Sequence, residues 1–307
     1  MVRPRALRLG DLVGICAPAG PVDRAALEQG AATLRSMGFE VRLSEALLER
    51  KGFTAGTLER RLGDLHALFA DDAVAGIVCA RGGAGSGWML PRLDAALVRE
   101  HPKVLIGYSD ITFLHLYLHR QALVTFHGPM AARELADGGY DADSFRSAVM
   151  GVGPLYATSP EDLVTLRAGE AEARLRGGCL SILASAVGTR WAFRSDPEGT
   201  ILFVEDVDER PYRIDRMLFQ LRAAGAFEGV RGIVFGDMKG CAPSFADAYT
   251  LEDVLLEALH GLDIPIALGL SSGHTANPLV TLPLGVRARL LCARDEARFE
   301  ILEAAVS

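Results

Sequence analysis

The sequence predicts an α/β protein in two parts: an N-terminal parallel-sheet α/β domain, and a C-terminal mixed α/β domain with a barrel-like sheet. Three observations predict it. Short runs that are apolar throughout, such as residues 75–79 and 104–106, alternate with segments of helical periodicity, as in a parallel sheet covered on both faces. Each run stops in a turn-rich or glycine-rich loop, where sites form in such sheets. The alternation lapses between Gly151 and Gly169 and then resumes, so residues 1–152 read as one domain, 153–174 as a linker and 175–307 as the second domain.

Taken in order, residues 12–17 form an apolar strand that ends in Pro18-Ala19-Gly20-Pro21. A helix over 23–37, a strand over 39–43, a helix over 57–69 and a strand over 75–79 follow. The loop Arg81-Gly82-Gly83-Ala84-Gly85-Ser86-Gly87 comes directly after. Its glycines let backbone N–H groups approach a ligand closely, as an oxyanion hole or an anion cradle requires. Their spacing misses the dinucleotide fingerprint G-x-G-x-x-G; a loop without a ligand is the plain alternative. Residues 104–106 form a strand that stops at Gly107 and passes into an apolar-periodic helix, and a strand over 123–126 leads into His127. In the second half, a small-residue helix spans 180–187, and a strand over 200–204 ends in Glu205-Asp206. Pro211 opens a helix to 224, since proline is tolerated in a first turn. Strands over 231–236 and 264–268 follow, then the loop 269–274, and the tail reads as short strands of an antiparallel or barrel-like closing piece.

Composition excludes several classes. With 307 residues, half of them apolar, the chain can bury one large core or two ordinary ones. A net charge of -7 and no basic stripe argue against nucleic acid. The lysines are Lys51, Lys103 and Lys239, and none follows a glycine-rich loop as a phosphate-binding lysine would. The longest apolar run, residues 73–80, is too short to cross a bilayer, and no secretory signal opens the chain, so a cytoplasmic protein is expected. The five cysteines are scattered without metal-ligand spacing and read as reduced, mostly buried hydrophobes.

Three polar residues stand at the ends of apolar strands: Ser109, Glu205 and His274. Ser109 lies on a sharp strand-to-helix turn, which exposes a hydroxyl and sets backbone N–H groups beside it. The G-x-S-x-G elbow is matched only in part, because Ile111 stands where a second glycine would be, and a plain helix-capping serine is equally compatible. A serine nucleophile needs a base, and the base an acidic partner, which His274 and Glu205 would supply. Asp206 competes with Glu205, since successive strand residues face opposite ways. His115, His119 and His127 allow a metal reading, but no glutamate stands between the first two as in H-E-x-x-H.

Gly107-Tyr108-Ser109-Asp110-Ile111-Thr112, with the Arg81-Gly82-Gly83 loop, Glu205-Asp206 and Gly273-His274, resembles the serine LD-carboxypeptidases, which include muramoyl-tetrapeptide carboxypeptidases and microcin-immunity enzymes. Ala17-Pro18-Ala19-Gly20, Pro211-Tyr212-Arg213-Ile214-Asp215-Arg216 and Leu282-Pro283-Leu284-Gly285 extend the likeness over about residues 7–302. The resemblance implies a Ser109-His274-Glu205 triad divided between two domains, with the active site at their interface, and an oxyanion hole from the N–H groups of Gly83 and Asp110. It implies no metal or cofactor, a homodimer, and a small peptide substrate: a murein tetrapeptide cut between meso-diaminopimelate and terminal D-alanine. Arg81 and Gly82 are candidates for substrate binding. Cleavage of peptidyl- or aminoacyl-nucleotides is the first alternative, with Trp191 as a candidate base platform, and a non-catalytic peptide or sugar binder the second.

Overall fold

The structure is a computed structural model that describes residues 1–158, 162–244 and 248–307. The chain divides into two units, the first made of Met1–Pro154, Asn277–Gly285 and Ala304–Ser307, the second of Leu155–Ala276 and Val286–Glu303.

In the first unit, β1 (Leu12–Cys16), β2 (Glu40–Leu43), β3 (Val74–Cys79), β4 (Val104–Gly107) and β5 (Thr125–His127) pair in parallel in the order β2-β1-β3-β4-β5. The apolar runs β3 and β4 are buried almost throughout, as a sheet covered on two faces demands, whereas β2 is mostly exposed and places charged Glu40 and Arg42 on the sheet's edge. The helices between them are α1 (Arg24–Ser36), α2 (Leu58–Ala70), α3 (Ala95–Glu100) and α4 (Thr112–Arg120), with α5 (Glu134–Asp137) and α6 (Ala142–Met150) after β5. Asp23 caps α1 by accepting from Ala26 N at 3.1 Å, and Thr57 caps α2 by accepting from Arg60 N at 3.3 Å. Strand order reverses between β1 and β3, so the loops leaving those strands flank the position where such sheets bind ligands.

In the second unit, β7 (Gly169–Cys179), β8 (Thr200–Glu205), β9 (Val230–Gly236) and β10 (Ile266–Leu270) run parallel as neighbours. Antiparallel strands flank them, β6 (Val164–Arg167) beside β10 and the hairpin β12 (Arg287–Cys292)–β13 (Ala297–Ile301) beside β7. α7 (Leu180–Ser185), α8 (Pro211–Ala223) and α9 (Leu251–Ala258) complete the unit.

Two expectations about domain organisation need correction. Residues 164–167 and 169–174, read as linker, belong to the paired strands β6 and β7. Segment 277–285, read as part of the C-terminal domain, lies in the first unit, where β11 (Leu282–Leu284) closes the sheet antiparallel to β5. Among the described residues no helix is long and apolar enough to cross a membrane.

Candidate active site

β4 ends at Gly107, and a 3-10 turn over Ser109–Ile111 leads straight into α4. Ser109 sits in that turn with φ +64°, a left-handed conformation that costs a side chain of its type on the order of 1 kcal/mol. Neither the turn nor α4 has a side-chain cap, so capping does not account for the serine. Strain of this kind lifts a hydroxyl off a sheet edge, the geometry of a nucleophile elbow.

The glycine loop packs directly on this turn. A Cβ on Gly82 would lie 2.7 Å from Ser109 Cβ and 2.9 Å from its Oγ, so only glycine permits the approach. Gly83 follows at φ +114°. Gly20 N donates to Gly82 O at 2.9 Å, and Ser86 bonds Asp110 twice, its N–H to Oδ2 at 2.8 Å and its hydroxyl to the backbone O at 2.6 Å. The buried Arg61 guanidinium donates to Pro18 O at 2.7 Å and Gly85 O at 2.9 Å, which joins the loops after β1 and β3. Burial raises the Asp110 pKa, against the Ser86 bonds and the Arg61 charge that lower it. Burial likewise lowers the pKa of Arg61. Arg81 donates to Pro21 O at 3.2 Å and so helps hold the same loop.

In the second unit, Glu205 is the last residue of β8 and fully buried. Its Oε2 accepts from His274 Nδ1 at 2.7 Å and from the His274 backbone N–H at 3.0 Å. These contacts set the ring's orientation and place the hydrogen on Nδ1, leaving Nε2 as the basic nitrogen. The ring keeps 18% of its surface exposed, so it remains reachable. Gly273, at φ +82°, makes the pair possible, because a Cβ there would fall 2.5 Å from Glu205 Cδ. Asp206 points elsewhere: it accepts from Ser181 N and Val207 N at 2.8 and 2.9 Å. Burial raises its pKa, and the Glu205 charge adds to that.

The first unit thus carries a strained serine in a glycine-lined turn, and the second a buried glutamate–histidine pair, side-chain types that acyl-transfer chemistry uses. The sequence profile of the LD-carboxypeptidase N-terminal domain matches residues 13–128, and that of the LD-carboxypeptidase C-terminal domain matches residues 172–290. The chain belongs to the LD-carboxypeptidase family. It is 39% identical to a probable murein peptide carboxypeptidase of Bacillus subtilis, over 99% of this chain and 95% of that protein. It is 32% identical to a murein tetrapeptide carboxypeptidase of Pseudomonas aeruginosa, over 86% and 88%. Its fold superposes, with TM-score 0.88 and 25% identity over all of both chains, on a variant of the microcin C7 self-immunity protein in complex with adenosine monophosphate.

In this LD-carboxypeptidase His115 and His119 bond the scaffold beside β4. His115, fully buried, bonds Gly107 O through Nε2 at 2.8 Å, and burial, with the His127 ring adding, pushes its pKa down to about 3. His119 Nε2 meets Thr125 Oγ1 at 3.1 Å. Among the described residues no three His, Cys, Asp or Glu side chains are placed to hold a metal ion. Sequence reasoning missed Asp237, which follows β9 and accepts from Thr275 Oγ1 and, at 3.3 Å, from Ala276 N, fixing the loop just after His274. Its place at a strand's C-terminal end was the signal available. Arg61 gave none, since a helical arginine is ordinarily a solvated one.

Proposed function

We propose that this LD-carboxypeptidase hydrolyses the L,D bond between meso-diaminopimelate and the terminal D-alanine of murein tetrapeptides, with Ser109, His274 and Glu205 as a catalytic triad. The observation that carries the reading is the Glu205–His274 pair, an imidazole oriented by a buried carboxylate through two hydrogen bonds. The hydroxyl of Ser109 loses its proton to His274 Nε2 and attacks the carbonyl carbon. The tetrahedral oxyanion is stabilised by the N–H groups of Gly83 and Asp110, and loss of one such donor typically costs about 3 kcal/mol. The imidazolium then gives its proton to the leaving amine, D-alanine departs, and a water activated by the same imidazole hydrolyses the acyl-enzyme. Murein relatives at 39% and 32% identity support the substrate class. The reading brings with it a cytoplasmic homodimer acting on recycled peptides, in which Arg81 and Gly82 line the peptide's path.

Ser109→Ala removes the nucleophile and little else. It is expected to melt like the parent and to release no D-alanine from murein tetrapeptide; undiminished release would refute the assignment. Cleavage of aminoacyl-nucleotides is the second reading, favoured by the likeness to a protein held with adenosine monophosphate. One face of Trp191, its candidate base platform, is covered by the Arg190 guanidinium at 4.6 Å. Turnover of a murein tetrapeptide and an aminoacyl sulfamoyl-adenosine, measured side by side, separates the two.

A further inference from the structure

The C-terminal edge of the first sheet carries more than the serine turn. The loops that leave β1, β2, β3 and β4 there are tied to one another. Ala55 N donates to Ala19 O at 2.9 Å, Gly20 N to Gly82 O at 2.9 Å, Arg61 to Pro18 and Gly85, and Ser86 to Asp110. Two aromatic side chains project into water from this frame. Phe53 is 73% exposed, on a turn closed by backbone bonds of 2.9 and 3.1 Å between Lys51 and Thr54. Trp88 is 74% exposed, on the 3-10 helix Ser86–Arg92 immediately after the glycine loop. The two turns are neighbours, since a Cβ on Gly85 would lie 2.8 Å from Thr54 Cγ2. The Trp88 helix is seated on α4, with Gly87 against the Phe113 ring. An isolated exposed aromatic needs no explanation, but two of them, held out by hydrogen-bonded turns on the frame that grips the nucleophile, form a preorganised stacking surface.

We propose that Trp88 and Phe53 are specificity-determining residues that stack against the sugar ring a murein peptide carries at its amino end, an N-acetylated amino-sugar pyranose. This rests on the murein reading of the site. The scissile bond lies at the carboxyl end of the peptide and the sugar at the other, so a peptide laid along the glycine loop from Ser109 brings its sugar toward the Trp88 helix. A nucleobase also offers a flat face, but a nucleotide brings phosphate charge. Arg60 is committed to Glu49, Arg92 to Glu59 and Arg61 to carbonyls, whereas Arg50 and Lys51 on the Phe53 turn are exposed, so it is the murein reading, and not charge, that favours the sugar over a nucleotide here.

The test uses full-length protein and murein tetrapeptide with and without its N-acetylmuramyl group, and reads the ratio of the two kcat/KM values. Wild type is expected to favour the sugar-bearing peptide by about tenfold, through KM, the size of one aromatic stacking contact. In Trp88→Ala the ratio falls to about one, in Phe53→Ala it falls part of the way, and Trp88→Phe keeps most of it. A wild-type ratio of one, or a preference that Trp88→Ala leaves intact, overturns the proposal. A second arm needs no turnover. The chain has two tryptophans, so in Ser109→Ala/Trp191→Phe the emission comes from Trp88 alone, and it shifts to the blue with the N-acetylmuramyl peptide. Should wild type release no D-alanine from either peptide, the hydrolysis reading fails while the emission still decides. A shift with the muramyl peptide keeps the sugar site; no shift, or one with adenosine monophosphate alone, removes it.

Discussion

Glu205 and His115 show how burial assigns opposite duties to two titratable side chains. Glu205 is held so that one oxygen receives both the ring and the amide of His274. Glu205→Gln keeps the shape but no longer favours the Nδ1–H tautomer or stabilises an imidazolium, so kcat for D-alanine release is expected to drop by about 10³- to 10⁴-fold with little change in melting temperature. A variant with near-normal kcat would remove Glu205 from the machinery. His115 is kept neutral by burial, its pKa moved from 6.5 to about 3. The unfolded chain binds a proton there below about pH 6.5 while the folded chain does not. Its contribution to stability is therefore complete above that pH and is lost on acidification toward pH 3, by at most about 1.4 kcal/mol per pH unit. Urea unfolding from pH 7 to 4 should show a shallower acid loss for His115→Gln, whose amide can still donate to Gly107 O; equal slopes would contradict this.

At the scale of elements, propensity and packing conflict in α1. Glycine inside a helix costs about 1 kcal/mol relative to alanine, so Gly30→Ala ought to stabilise α1 on propensity alone. The structure reverses the sign, because a Cβ on Gly30 would lie 1.7 Å from Ala131 O, a backbone atom that cannot rotate away. The variant is expected to lose about 3 kcal/mol, overpacking outweighing propensity, and thermal melts would read it. A Tm at or above the parent's would show that the 131 segment yields. The same close approach ties the segment after β5 to the helix after β1.

For the whole molecule the decisive fact is that the chain returns. β11 pairs with β5 through Leu282↔His127, Pro283↔Phe126 and Leu284↔Thr125, and the C-terminal Ser307 bonds the backbone of Pro4 and Ala6. A fragment 1–152, the domain that sequence pattern would cut out, lacks this strand and its buried Leu279, Leu282 and Leu284. It is left with an open β5 edge over an incomplete core. Circular dichroism should find no cooperative unfolding transition in it; a sharp melt would show that the returning segment is dispensable.

Much of the molecule was legible in the sequence, because periodicity and punctuation are local. The apolar runs of β3, β4 and β8 and the prolines and glycines after them located the strand ends, and with them Ser109, Glu205 and the His274 loop. What local pattern cannot carry is contact between distant residues. The left-handed Ser109 follows from its fit against Gly82, and a capping serine would have read the same. Alternation along β8 said that Glu205 and Asp206 face apart, but the arrival of His274 on one side and Ser181 N on the other decided their roles. The tertiary structure alone gave Arg61 and Asp237 their duties and carried β11 into the first sheet, since burial and strand pairing are properties of the assembled chain.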